Sequence, residues 1–480
     1  VQGYTAVNNK ELTQFWNGLM WSSISEWDFF RKSETRNRFV SFFGNVMYTF
    51  NNRYDITGSI RWDLSDLFGK KKKYLYKPLW SVGAAWTISN EKFMHGITWL
   101  DRLRVRATYG INGNVARGVS PYLVAEYQLN KITGQQYGEV TTPPNASLRW
   151  EKTKVTNLGV DFAVFKNRLT GSLQYYSRNS GDLLAVGDSD PTCGFERMQL
   201  NVGAMTNKGF EVELRGTPVR WRDLEWTAGF TFAYNKNEVT KLNKKPFSAS
   251  TLVSGGVLQE GRPYDTMYSY RFSRIDENGE TVIFDENGEE VSLVNVTSID
   301  AVRYSGTTLA PYTGAIFTTL SYKGLELSLN FIYNAGHKMR KRIADPHMSW
   351  FGGPANLSYN GYDKSWKQPG DELKSGVTPR ITYSYDADTF YRNDHWRYND
   401  SQVVSASYIK LRNLSLIYNL PSVWLKNTFL KSVSVSAQAD NLFFFAANGE
   451  KSDPENYNLN NGSRTAPTVP TYSFGINVSF

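Results

Sequence analysis

The amino-acid sequence predicts an all-β protein, and more specifically a transmembrane antiparallel β-barrel. Three observations support this fold class. Phe, Trp and Tyr make up 15% of the 480 residues, although the chain as a whole is polar, with a mean hydropathy of −0.46. Long segments alternate apolar and polar residues with a period of two, which is typical of strands with one apolar face. No apolar run approaches the roughly 20 residues that a membrane helix requires, whereas barrel strands need only every second residue to be apolar.

The last ten residues, TYSFGINVSF, show the alternation most clearly. Every second residue is apolar or aromatic, and the residues between them are small or polar. A barrel has to close on its last strand, because an unpaired sheet edge cannot face lipid. We therefore expect this strand to complete the sheet and to turn one row of side chains toward lipid, namely Tyr472, Phe474, Ile476, Val478 and Phe480.

Similar segments recur along the chain and predict about fourteen strands. Tight turns such as Asn51-Asn52 alternate with long connections, which is the arrangement of outer-membrane barrels. Counting back from Phe480 places strands near 10–25, 36–50, 53–66, 77–90, 99–112, 148–164, 168–184, 201–216, 224–241, 312–323, 325–337, 404–419, 431–446 and 471–480. The same count makes the loops near 113–147, 242–311, 338–402 and 447–469 extracellular, and we expect surface hairpins within 242–311.

The polar face of the predicted strands carries charge. Arg102, Arg104 and Arg106 alternate with apolar residues and so form one row on one face of a strand. A soluble β-sandwich or propeller, the alternative all-β class, would rarely place three arginines in such a row. In a wide barrel the row would face the wet lumen, where acids of neighbouring strands could pair with it.

Several classes of chemistry find little support in the sequence. The single cysteine excludes an internal disulfide framework, and His95, His337, His347 and His395 lack metal-ligand spacing. No catalytic set can be assembled, so we expect no enzyme. The basic run Lys70–Lys73 comes without a nucleic-acid-binding motif, and we expect it to contact lipopolysaccharide phosphates or to be a hydrated loop.

Two acidic repeats leave one cofactor question open. DENGE occurs at 276–280 and again at 285–289. Asn-Gly is a strong tight-turn sequence, and the spacing of the acids differs from that of an EF-hand loop. We interpret both as hairpin turns and expect no cofactor, with a weakly bound Ca²⁺ as the alternative.

The segment 338–402 is the predicted ligand surface, because it combines aromatic rings with carboxylates. Flat rings suit sugar rings, and carboxylates accept hydrogen bonds from hydroxyl groups. The alternative is that these rings pack the loop against a partner. The candidate ligand-binding residues are Trp350, Phe351, Trp366, Tyr391, His395, Trp396 and Tyr398.

Seven stretches together resemble one family. DLFGKKKKYLYKPLWSVGAAWTISNEKFM, YGINGN, LRWEKTKVTNLGVDFAVFKNRLTGSLQYYSRNSGDLL, VGAMTNKGFEVELRG, SYIKLRNLSLIYNLP, AQADNLFFF and PTYSFGINVSF occur in this order. In that order they resemble the SusC/RagA-type TonB-dependent outer-membrane transporters of Bacteroidota. The resemblance implies a 22-stranded barrel, of which this chain would be the C-terminal portion without the N-terminal plug.

The resemblance also implies a function and partners. It implies active import of large nutrients across the outer membrane, with a SusD-like surface lipoprotein as lid and energy from TonB, ExbB and ExbD. Glycan oligosaccharides are the expected cargo, and oligopeptides are the rival within the same family. A siderophore or cobalamin receptor and a structural or adhesive outer-membrane protein are the alternatives from other classes. We expect no nucleic-acid partner.

Overall fold

Thirteen long strands of the computed structural model form one antiparallel sheet. The structure describes residues 2–6, 14–16, 21–23, 30–34, 38–65, 78–114, 121–190 without 131 and 146, 192, 194–195, 197–242, 248–341, 359–382, 388–449 and 451–480. The strands of the sheet are β5 (Phe39–Phe50), β6 (Tyr54–Ser65), β7 (Leu79–Thr87), β8 (Leu100–Asn114), β11 (Glu151–Val164), β12 (Leu169–Asp188), β13 (Arg197–Trp221), β14 (Leu224–Lys241), β19 (Tyr312–Tyr322), β20 (Leu325–Ala335), β23 (Tyr408–Asn419), β24 (Ser432–Ala446) and β25 (Thr471–Ser479). Each pairs with the next in this order.

The register places the alternating apolar residues on one continuous face. One row of directly opposed residues runs from β25 to β19 through Phe474, Ala437, Leu416, Leu327 and Leu320. The corresponding row from β12 to β5 consists of Tyr175, Leu158, Ala107, Ala84, Ile56 and Tyr48. We call this side the apolar face and the opposite side the polar face. Because the period of a strand is two, a slip of one residue would mix the two faces.

The remaining strands form small sheets at the ends of the long ones. The pairs are β1 (Gln2–Ala6) with β4 (Phe30–Glu34), β2 (Gln14–Trp16) with β3 (Trp21–Ser23), β9 (Val124–Leu129) with β10 (Gln136–Thr142), and β21 (Lys338–Arg340) with β22 (Val403–Ser405). A four-stranded sheet contains β15 (Thr266–Ile275), β16 (Thr281–Phe284), β17 (Glu290–Val291) and β18 (Val302–Thr307). The four α-helices of the described residues are short: α1 (Ala249–Val253), α2 (Tyr359–Lys364), α3 (Thr389–Arg397) and α4 (Ser422–Leu425).

Thirteen of the fourteen predicted strands are confirmed as members of the long sheet. The exception is the strand predicted near 10–25, which is wrong as one continuous element, because β2 and β3 pair with each other instead. Asn17-Gly18 is a hairpin-turn sequence and separates these two short strands along the chain. The hairpins predicted within 242–311 are confirmed by the four-stranded sheet. The basic run Lys70–Lys73 lies outside the described residues.

The long sheet has two unlike ends. Short turns close one end, at 51–53, 165–168, 222–223 and 323–324, together with the longer connections 88–99 and 420–431. Long connections leave the other end. We call these the short-turn end and the long-loop end. At the long-loop end, α1 and β15–β18 enclose a small apolar core that includes Leu252, Tyr270 and Ile283. No helix in the described part of the chain has the length and apolar composition needed to cross a bilayer.

Candidate binding site at the long-loop end

A β-bulge on β23 creates the most enclosed charged group on the polar face. The pairing of β23 shifts at Arg412, so that Asn413 lies opposite Asn330 and Leu411 lies opposite Phe331. A bulge inserts one extra residue and so reverses which residues of a strand face each side. Leu414 and Leu416 therefore share the apolar face with Leu411, and Lys410 turns onto the polar face.

Lys410 holds the loop that follows β24 against β23 through ion pairs. Its side chain is 2% exposed, and Nζ donates to Asp453 Oδ2 at 2.7 Å and to Glu455 Oε2 at 2.9 Å. The hydroxyl of Tyr408 donates to Glu455 Oε1 at 2.7 Å, and Arg412 also pairs with Glu455. We call residues 447–470, of which 450 is not described, the roof loop, because these bonds hold it over the polar face of β23 and β24.

The two carboxylates are positioned by their own turn. Asp453 caps the 3₁₀ turn Pro454–Asn456, and its Oδ1 accepts the amide of Glu455 at 3.1 Å. Burial disfavours the charged form of Glu455, but the hydrogen bonds from Lys410, Tyr408 and Arg412 prevail and lower the pKa of this carboxyl. Glu455 is therefore charged at neutral pH and is paired within the cluster.

A cavity of about 540 Å³ lies between the roof loop and the upper ends of β23 and β24. This volume is within the usual range of small-molecule sites, roughly 300–1,000 Å³. Its lining combines cations, a carboxylate, amides and rings, and includes Lys410, Asn441, Phe444, Lys451, Tyr457 and Arg464. The site can thus offer charged and neutral hydrogen-bonding groups to a polar ligand.

The predicted ligand residues of 338–402 are used largely in packing. His395 is 1% exposed and lies edge-on against Tyr270, and Trp396 is 7% exposed and lies edge-on against Phe272. In this structure both rings are enclosed by protein, and direct contact of His395 and Trp396 with a ligand stays a prediction. Trp350 and Phe351 lie outside the described residues.

The other three predicted aromatic residues are partly buried. Trp366 donates from Nε1 to Glu372 Oε2 at 3.1 Å and packs against Gly279. Tyr391 contacts His395, and the ring of Tyr398 lies beneath the guanidinium of Arg340, 5.1 Å from ring centroid to Cζ. The structure does not bring these rings together at the cavity.

Buried ion pairs join the described parts of this segment to the four-stranded sheet. Glu280, at the end of a DENGE turn, accepts from Arg392 Nε at 2.9 Å and from Arg380 Nε at 2.6 Å. Arg340, which is 1% exposed, donates to Ser269 Oγ at 3.2 Å. Burial lowers the pKa of Arg340 to about 10, which leaves it protonated at neutral pH.

Both DENGE repeats are hairpin turns. Asp276 Oδ1 accepts the amides of Asn278 and Glu280, and Asp285 Oδ1 accepts those of Asn287 and Glu289. Gly279 and Gly288 have positive φ angles of 78° and 84°, which glycine adopts without strain. The described residues contain no group of three or more His, Cys, Asp or Glu side chains placed to hold a metal ion.

The three arginines predicted for the polar face lie there by register. Arg104 Nη2 donates to Asp55 Oδ2 at 2.7 Å across the intervening β7, in which Ala85 lies opposite Asp55 and Thr87 lies opposite Arg104. Arg106 pairs with Asp161 at 3.1 Å and lies over Gly159. Arg102 is exposed. Facing a barrel lumen stays a prediction for all three.

Sequence reasoning missed Lys410, Asp453 and Glu455. A usable signal existed, because strict alternation in SYIKLRNLSLIYN places Lys410 on the same side as Leu414 and Leu416. A lysine on a lipid-facing row is costly, so its presence there indicates a bulge. The acids could not be assigned as its partners, since they lie 43 and 45 residues away along the chain.

Comparison with known proteins identifies the family. The family model described as TonB dependent receptor-like, beta-barrel matches residues 3–278. TonB-dependent receptor P39 of Formosa agariphila is 26% identical over 512 aligned residues, covering 93% of this chain and 46% of the relative. TonB-dependent receptor SusC of Bacteroides thetaiotaomicron is 25% identical, covering 82% of this chain and 39% of SusC.

Solved structures agree with these relatives. The RagAB peptide transporter superposes with a TM-score of 0.76 and 26% identity, covering 94% of this chain and 48% of the transporter chain. The chain thus spans about half the length of the proteins it matches. Proteins of this family are transport proteins of the outer membrane rather than enzymes. The chain belongs to the TonB-dependent receptor β-barrel family and is a SusC- and RagA-like member of it.

Proposed function

We propose that this chain is part of a TonB-dependent importer that carries oligopeptides across the outer membrane. The observation that carries the proposal is the cavity beneath the roof loop. Lys451 and Arg464 suit the carboxylates of a peptide, and Asn441 and Asn456 suit backbone amides. The likeness to a protein described as a peptide transporter supports this cargo.

Glycan oligosaccharides are the second candidate. The high aromatic content of the chain favours them. The rings of Phe444 and Tyr457 line the cavity together with its hydrogen-bonding side chains. The burial of His395 and Trp396 removes part of the support for sugar binding in 338–402, and for this reason peptides come first. For either cargo, the roof loop and the cavity beneath it would bind the ligand near the mouth of the barrel before import.

The proposed partners follow from the family. A SusD-like surface lipoprotein would cover the long-loop end, which we place outside the cell. TonB with ExbB and ExbD would supply the energy for import. The apolar face, including Tyr472, Phe474, Ile476, Val478 and Phe480, would contact lipid, and lipopolysaccharide would surround the long-loop end.

Ligand capture by the transporter purified with its lipoprotein tests the cargo. We would offer a peptide library and an oligosaccharide library separately and identify retained compounds by mass spectrometry. Peptides should be retained, and Lys451→Gln with Arg464→Gln should weaken their binding by about tenfold, because two charge-assisted hydrogen bonds are lost.

The matched control is Lys364→Gln with Lys367→Gln, which removes two exposed charges from the same end of the molecule but outside the cavity. It should leave binding unchanged. Retention of oligosaccharides alone would replace the first cargo by the second. Retention of neither library, or equal peptide binding by the cavity variant and the control, would overturn the proposed site.

A further inference from the structure

The short-turn end of the sheet carries a strong excess of positive charge. We call the turns 51–53, 88–99, 165–168, 222–223, 323–324 and 420–431 the short-turn rim. The rim contains two carboxylates, Glu91 and Asp223. It contains eight cations, namely Arg53, Lys92, Lys166, Arg168, Arg222, Lys323, Lys426 and Lys431. Such an excess attracts anions at the surface where the strands end.

Exposed aromatic rings lie among these cations. Phe93 is 66% exposed, Trp99 54% and Phe165 56%. Within 420–431, Leu425 is buried at 8% exposure and anchors α4, whereas Trp424 and Phe429 are 65% and 82% exposed. Turns that face only water rarely expose so many aromatic rings. Exposed rings of this kind are typical of a membrane–water interface.

Two further exposed rings lie where the apolar face meets the short-turn rim. Tyr322 and Trp221 continue the apolar rows of β19 and β13, because they lie opposite Leu325 and Leu224. The Nζ of Lys323 lies 5.4 Å from the ring centroid of Tyr322, and Cζ of Arg222 lies 5.1 Å from that of Trp221. These cations therefore sit at the boundary where the apolar face ends.

Most of the rim cations form no ion pair within the part of the chain that the structure describes. Glu91 pairs with Arg53 at 3.3 Å and also accepts from Tyr54 and Trp86. Among the described residues, Lys323, Lys426 and Lys431 have no ion-pair partner. They are exposed, and Lys426 and Lys431 flank Phe429.

We propose that the short-turn rim is a binding surface for anionic phospholipid headgroups of the leaflet that faces the periplasm. The rings enter the interface, the cations meet headgroup phosphates, and the segment 420–431 acts as the main anchor. The proposal depends on the outer-membrane location of the chain and not on the identity of the cargo. A protein partner would explain the charge but not the continuity of the rings with the apolar face.

Native mass spectrometry of the intact transporter tests this surface. The protein in detergent would be mixed with equal amounts of phosphatidylglycerol and phosphatidylcholine of matched acyl chains. Wild type should retain phosphatidylglycerol preferentially. The triple variant Lys323→Asn, Lys426→Gln, Lys431→Gln should lose the preference by about fivefold or more, since each cation near an anionic leaflet contributes on the order of a fivefold factor. Asparagine is chosen at 323 because φ there is 46°.

Two further variants separate charge from burial of the rings. Lys364→Gln, Lys367→Gln, Lys374→Gln removes three charges at the long-loop end and should retain the wild-type preference. Trp424→Ser with Phe429→Ser should lower retention of both lipids alike and keep the preference. An unchanged preference in the rim triple variant, or no preference in wild type, would overturn the proposal. Heat-modifiable migration on gels would establish that each variant contains a folded barrel.

Discussion

Lys410 is the single residue on which the position of the roof loop depends most directly. The substitution Lys410→Met would leave Asp453 in a buried site without its cation and Glu455 with Arg412 as its remaining cation. We expect the attachment of the loop to weaken by roughly 3 kcal/mol, because uncompensated buried charge is strongly destabilising. Amide hydrogen exchange of residues 451–465 should accelerate. The exchange rates of the β23 amides between Asn413 and Asn419 should stay unchanged. The control Lys451→Met removes an exposed cation of the same loop, and equal exchange in the two variants would contradict this role.

His395 makes the loops around β15 sensitive to acid. Burial lowers the pKa of this histidine to about 4, below its ordinary value of 6.5. The folded state therefore holds it neutral, and the unfolded state takes up a proton first as the pH falls. Its contribution to stability is present above pH 6.5 and is lost toward pH 4, by about 2 kcal/mol at pH 5.

The measurement is hydrogen exchange of β15 at pH 7 and pH 5, corrected for intrinsic rates. Asp394 opposes the effect, because burial raises the pKa of its carboxyl. The test is therefore the difference between wild type and His395→Gln, which should have the smaller loss of protection at pH 5. An equal loss in both proteins would remove His395 as the cause.

Individual residues also mark the limit of what the sequence predicts. The alternation around Arg104 and Arg106 was sufficient to place both on the polar face, because face is a local property of a strand. Their partners Asp55 and Asp161 depend on which strands become neighbours. His395 and Trp396 show the same limit, since composition cannot separate a ring that binds a ligand from one that packs against Tyr270 or Phe272.

Among the strands, a recurring element is a glycine opposite an aromatic ring of the next strand. A Cβ on Gly209 would lie 2.2 Å from Cζ of Tyr176, and a Cβ on Gly229 would lie 2.0 Å from Cζ of Phe317. Gly314 and Gly171 are covered in the same way by Tyr333 and Phe162. The rings fill the space above the glycines and help to fix the register of neighbouring strands.

We expect Gly209→Ala to displace Tyr176 and to destabilise the sheet by about 1–3 kcal/mol through overpacking. The matched control is Gly58→Ala, where an added Cβ has nothing within 4 Å. Outer-membrane yield and resistance to urea should fall for the first variant only. A similar loss for both would point to backbone effects of alanine rather than to the ring.

The last strand gives a second test at this scale. Phe474 lies on the apolar face opposite Ala437, and Ser473 lies on the polar face opposite Gln438. Phe474→Asp should cost roughly 2–4 kcal/mol near the middle of the membrane and impair assembly. Ser473→Asp should be mild, so equal yields of the two variants in outer membranes would contradict the assigned faces.

For the whole molecule, the long-loop end behaves as a unit held by contacts between distant segments. Deleting 345–398 removes Arg380 and Arg392 and leaves Glu280, now 3% exposed, without either cation. We expect the long sheet to remain inserted, the strands β15–β18 to become protease-sensitive, and uptake to be lost. The sheet survives because its strand pairs do not involve the deleted residues.

A matched deletion of 125–141 removes most of the β9–β10 hairpin, whose strands pair only with each other among the described residues. It should leave β15–β18 resistant to protease. Normal uptake after removal of 345–398 would show that this segment is dispensable, and loss of membrane insertion would show that it is needed for the sheet.

The bulge at Arg412 has a consequence for labelling experiments. Single cysteines introduced along β23 for thiol-reactive probes would report opposite environments on its two sides. A cysteine at 414 or 416 should be shielded from a membrane-impermeant maleimide, and so should one at 409 or 411, although the numbering parity has changed. A probe series designed on strict alternation would therefore assign residues 408–411 to the wrong face of this strand.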